Sequence, residues 1–227
     1  MSEILKQLFG GGIITRGILE TVYMTVISAV FSYVIGLPLG VILNVTDKNG
    51  LRPLHALNKT LNVIVNVLRS IPFIILMVAF LPVAKLITGT SMGNPAMIVT
   101  LVIAAAPYVA RMVESSLKEI DKGVIEAAKS MGASNFKIIL KVMLPEAKPS
   151  LITGSVISAV TIIGYTAMAS TIGGGGLGQI AIVYGYQRFA NDVIWVCVVL
   201  IVIIVQIIQE AGTFIAKKSD KRIPRKN

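Results

Sequence analysis

The sequence holds one cysteine and one histidine in 227 residues, and only 14% of it is charged. With a single thiol no intrachain disulfide can form, and Cys197, set inside an apolar run, reads as packing. His55 has no second histidine or nearby cysteine to complete a metal site, so it reads as an exposed link residue. Aromatics make up 6%, and no basic face is interleaved with them for base stacking. Nucleic acid is therefore excluded despite a net charge of +10. There is no G-x-x-x-x-G-K-[ST] loop, no H-E-x-x-H, no serine–histidine–acid set and no carboxylate cluster. The chain has nothing from which to build an active site or a metal or cofactor site, and any ATP energy must come from another subunit.

What is present is apolar sequence. Hydrophobic residues reach 55% and mean hydropathy +0.81, while charge falls well below the quarter usual in soluble domains. The expectation is an all-α polytopic membrane protein in a single domain over 1–227, with five transmembrane helices at about 18–45, 61–87, 95–113, 150–172 and 193–216. The first apolar block is too long for a signal h-region and no cleavage site follows it, so no cleavable signal is expected. Residues 1–17, with Lys6, Arg16 and the break at 10–12, read as an interfacial segment. Gly36, Pro38 and Gly40 bend the first span or allow close helix contact. The fourth span is rich in small residues, which let helices approach closely in lipid.

Five spans put the chain ends on opposite sides. Fifteen Lys and Arg fall in the 46–60 link, the 114–149 loop and the tail, against four in the alternate segments. The positive-inside rule then predicts the N-terminus outside and the C-terminus and the 114–149 loop in the cytoplasm. The tail 217–227 reads as a topology anchor in contact with anionic membrane lipids.

Within that loop, 121–145 is basic and solvent-compatible. Asp121 suits an N-cap, Gly132 the left-handed end of a helix, and Pro145 a stop. A second short helix from about Ser134 carries Phe136, Ile139, Leu140 and Met143 on one stripe. Two short helices between two spans make a docking element. Glu114 and Lys118 read as a small exposed i,i+4 pair.

Glu126, Ala127, Ala128, Gly132, Leu144 and Pro145 follow E-A-A-x3-G-x9-I-x-L-P, with Val142 at the isoleucine position. This resembles the EAA loop of ABC-importer permeases. Nearly the full chain looks like the permease subunit of methionine importers, through LRSIPFIIL (68–76), AAPYVARMVE (105–114), GYTAM (164–168) and GGGGLGQI (173–180). The resemblance implies a type I ABC-importer permease fold in the bacterial plasma membrane and import of D- or L-methionine. It also implies a homodimer, two ATP-binding subunits that hold the ATP and Mg, and an extracytoplasmic methionine-binding protein or lipoprotein. By the same resemblance Glu126, Ala127 and Ala128 seat the loop in the ATPase. Gly132 makes the turn, Phe136 docks, and Leu144-Pro145 join the loop rigidly to the fourth span.

Two places are candidates for the pathway. Arg69, followed by Ser70 and Pro72, lies about 12 Å into the second span. It either snorkels to the interface or faces a wet cavity or subunit interface. Pro72 frees a backbone carbonyl there. Tyr165, Thr166 and Met168 in the fourth span are either ordinary packing or a narrow apolar gate. Gly173-x-Gly175-x-x-Gly178 nominally matches a dinucleotide fingerprint but follows no strand, and reads instead as a flexible external turn. The rivals are an ion-coupled secondary transporter, which would need intramembrane acids, a non-transporting scaffold, and a permease for another small solute.

Overall fold

The computed structural model describes residues 3–220, and every regular element among them is helical. In order these are α1 (Glu3–Gly10), α2 (Ile13–Thr46), α3 (His55–Ser70), α4 (Phe73–Thr88) and α5 (Asn94–Lys118). They are followed by α6 (Lys122–Ser130), α7 (Asn135–Ile138), α8 (Leu144–Glu146), α9 (Lys148–Ala169), α10 (Leu177–Gln179) and α11 (Asn191–Ser219). The tail residues Lys221, Arg222, Arg225 and Lys226 lie outside the described residues.

Four helical stretches (13–46, 94–118, 148–172 and 191–219) are long and apolar enough to cross a bilayer. The position of the expected second span is taken by α3 and α4, which are bent by 110° at a short break. The sequence rule for proline explains the break. Pro72 has no N–H to continue α3, and its ring forces Ile71 into an extended conformation (φ −79°, ψ 128°). Pro72 then serves as the residue before α4, its carbonyl accepting from Ile75 and Leu76 N–H at 3.0 Å each. The first span begins at Ile13 rather than 18, and His55 is the first, exposed residue of α3 rather than part of a loop.

α5 is the centre of the bundle: 67% of its apolar window is buried, against 28% or less in the other three. α2 lies against it along a row of small residues, Ser28, Ser32, Gly36 and Gly40, four apart and all buried. A Cβ on Gly36 would stand 2.7 Å from Val109 Cβ, and one on Gly40 2.6 Å from Val113 Cβ. These glycines serve close contact, since only a missing Cβ lets the backbones meet this way. At one end α1, α10 and the start of α11 enclose Leu8, Ile14, Leu177, Ile180 and Val193, with Cys197 fully buried among them.

Candidate functional site

The docking segment is built as its capping residues dictate. Asp121 Oδ1 accepts from Gly123 N–H at 2.6 Å and starts α6. Gly132, at φ +76°, ends it in the left-handed region, and Ala133 N–H returns to Ala128 O at 3.1 Å. Ser134 Oγ then caps α7, accepting from Lys137 N–H at 3.4 Å.

Pro145 does not stop the chain. Residues 139–143 form a π-turn, with Leu144 N–H reaching back five residues to Ile139 O. Pro145 sits in the first turn of α8, where a missing N–H costs least. Through Ala147, which is also right-handed helical, the path from Asn135 into α9 stays helical, so Leu144 and Pro145 lie within a helical connection.

The π-turn also rotates the apolar stripe. Ile138 and Met143 are buried with Leu117, Ile120 and Ala128, whereas Phe136 is 70% exposed and Leu140 is exposed too. The alanine pair divides in the same way. Ala127 faces outward beside the exposed Glu126, and Ala128 is buried beneath α6. Ala128 therefore holds α6 to the bundle. Exposed in this segment are the apolar Ala127, Met131, Phe136 and Leu140 together with the charged Glu126, Lys129, Lys137 and Lys141.

A cleft of about 270 Å³ lies between α6 and the 47–51 link, lined by Asp47, Lys118, Lys122, Glu126 and Lys129 among others. Asp47 Oδ2 is 3.2 Å from Lys118 Nζ. Burial works upward on the Asp47 carboxyl, but the hydrogen bonds from Lys118 and the backbone N–H groups of Asn49 and Lys48 outweigh it. They hold it below its ordinary value. Glu114 is not the exposed partner its spacing suggested. It is 4% exposed and takes Lys118 on one oxygen at 2.7 Å and Arg111 on the other.

The pathway candidates come together in part. Arg69 and Ser70 are exposed in the last turn of α3, at the break. A cation there also faces the negative end of the helix dipole. Arg69 lies within electrostatic reach of Tyr165, and Phe73, next to Pro72, stacks on the Tyr165 ring at 4.3 Å. Met168 shares the Tyr165 face and is exposed. Thr166 does not join them. It is buried, its hydroxyl donating to Ile163 O at 2.7 Å, because 100° per residue turns it to the far side of α9.

At the end of the bundle opposite the docking segment, the glycine stretch is not a flexible turn. Gly175 N–H donates to Asn94 Oδ1 and Gly176 N–H to Glu20 Oε2, both at 2.8 Å, and Leu177 N–H to Thr21 Oγ1 at 2.9 Å. Glu20, in turn, is paired with Arg16 at 2.9 Å. The stretch joins the starts of α2 and α5 and borders a cleft of about 500 Å³.

Residues 36–223 match the family model described as binding-protein-dependent transport system inner membrane component. The chain is 48% identical over 203 residues to a probable D-methionine transport system permease protein of Vibrio cholerae, covering 89% of this chain and 90% of that one. It is 50% identical over 181 residues to a methionine import system permease protein of Bacillus subtilis, covering 80% and 82%. Among solved structures it matches a chain of a methionine ABC transporter in an inward-facing conformation, with TM-score 0.93 and 45% identity. That match spans 97% of this chain and 100% of the other.

Proposed function

The chain belongs to the inner membrane components of binding-protein-dependent transport systems, and from that membership we propose that it is the permease subunit of a methionine ABC importer. The permease is a membrane transport component and not itself the ATPase. ATP and Mg belong to a partner. By analogy with the solved methionine transporter, two copies pair around a central pathway and each holds one ATP-binding subunit. A binding protein for methionine delivers substrate to the opposite face.

The observation that carries this reading is how the docking segment exposes its residues. Ala128, Ile138 and Met143 anchor it to the α5 end, and Glu126, Ala127, Met131 and Phe136 stay free for a partner. Gly132 sets the angle between the two short helices. ATP-driven closure of the partner subunits pushes this segment, and the run of short helical turns from Asn135 into α9 carries the push into the spans. The charge distribution supports a cytoplasmic docking segment and an external glycine stretch. The exposed Arg69, Ser70 and Pro72 at the helix break, with Tyr165 and Met168, form the pathway face. The two short helices with the 47–51 link, the spans and the basic tail act as one transport domain.

Growth tests the reading. Together with its ATPase and binding protein, the chain should restore a methionine auxotroph that lacks its own importer on micromolar L- or D-methionine. Failure on both, with the complex assembled, would refute the substrate.

A further inference from the structure

Resting on that reading, we propose that Arg111 is a positioning residue that latches α3 to α5 and so ties the pathway face to the docking segment. α3 has unusual attachments. Val65 is its only buried residue, and one end of the helix is the break at Pro72, where α3 and α4 are no longer joined by helical hydrogen bonds.

Apolar packing of α3 is confined to Leu61 and Val65 against Leu39, Leu43 and Ala110, and the rest of its hold is polar. Arg111 Nη2 donates to Asn62 Oδ1 at 2.6 Å and to Asn66 Oδ1 at 2.8 Å. One turn earlier Asn58 Nδ2 donates to Leu43 O at 2.8 Å and to Thr46 Oγ1 at 3.0 Å. Asn58, Asn62 and Asn66 are four apart, so they form one ladder on the face of α3 toward α5 and the end of α2.

A helix held by apolar packing resists a shift, because each displaced side chain opens a void. One held by hydrogen bonds at a guanidinium can exchange partners at little cost, provided the guanidinium itself is fixed. Arg111 is fixed: its Nη1 is bound to the buried Glu114 carboxylate, whose other oxygen holds Lys118, and Lys118 reaches Asp47 in the link beside α6. The chain of contacts thus runs from the docking-segment cleft to Asn66, one turn from Arg69. α2, by contrast, is locked to α5 through Gly36 and Gly40. Movement of the docking end relative to the core reaches α3 through Lys118, Glu114 and Arg111, the last of which touches both Glu114 and the two α3 asparagines.

The test uses the full complex with its ATPase and binding protein in proteoliposomes, and reads methionine taken up per ATP hydrolysed. The double variant Asn62→Ala/Asn66→Ala leaves every charge pair intact. It should assemble and hydrolyse ATP normally while uptake per ATP falls roughly three- to tenfold, within the range of such couplings. Arg111→Lys keeps the charge beside Glu114 but cannot fork to two asparagines, and should give the same loss. Combining all three changes should add nothing further, since one latch is being removed. A ratio within about twofold of the unsubstituted complex in the double variant, or additive losses, overturns the latch. So does a parallel fall in assembly, ATP hydrolysis and uptake at constant ratio, which is what a purely structural role gives. Absence of any methionine uptake by the unsubstituted complex would overturn the functional reading itself, and the latch with it.

Discussion

Phe73 and Tyr165 lie with ring centroids 4.3 Å apart and planes 4° from parallel, joining the first turn of α4 to α9. The stack fixes the position of the helix break relative to the span that carries Met168. It forms one apolar wall beside the exposed end of α3, where Arg69 and Ser70 supply the polar side. An amino acid with a thioether side chain needs both kinds of surface.

Met168, 47% exposed within the protomer, should tolerate bulk without disturbing the fold. Met168→Trp is therefore expected to obstruct uptake while complex yield and ATP hydrolysis stay normal. Uptake and yield measured on the same preparation decide it. Normal uptake per assembled complex would remove this face from the pathway.

Gly36 tests the packing of the core. Gly36→Val places a side chain where Val109 Cβ and Ala106 O already stand, 2.7 and 2.8 Å from the added Cβ. Overpacking of this kind costs about 1–3 kcal/mol or more. Folded protein recovered in detergent should drop, with a lower melting temperature. Unchanged recovery would mean that α2 and α5 can separate freely.

Gly132→Val addresses the docking turn. At φ +76° a β-branched residue is strongly disfavoured, so α6 and α7 should lose their relative angle. The variant should insert into the membrane as before, since no span is touched. It should co-purify poorly with the ATPase or transport poorly, and full activity would show that the angle is not read by the partner.

Much of this was legible in the sequence, and the omissions share a cause. Span positions follow from composition, and the caps of α6 and α7 follow from Asp121, Gly132 and Ser134, all local chemistry. Pro72 announced an interruption. Its 110° size depends on what the two halves pack against, which no local rule contains. Glu114 and Lys118 were visible as an i,i+4 pair. The burial of Glu114 was not, because the Asn62 and Asn66 side chains that complete the network come from α3. The glycine stretch read as a mobile turn because its partners, Glu20 and Thr21, are 156 residues away. The π-turn at 139–143 hid the real stripe, since an ideal 100° repeat puts Phe136 and Met143 on one face and the extra residue separates them.

The charge count predicts the orientation. A cysteine introduced by Lys129→Cys should react with an impermeant thiol reagent only after the cytoplasmic side is opened. Labelling in intact cells would reverse the topology and place the docking segment where no ATPase can reach it.

The central claim is that this chain carries methionine inward only when a separate ATPase works on its docking segment. Uptake of labelled methionine into proteoliposomes holding the permease and ATPase, with binding protein outside and ATP inside, tests that most directly. The account predicts accumulation above the external concentration that stops when ATP is withheld or the ATPase is omitted. Accumulation that persists without ATP and follows an ion gradient would contradict it.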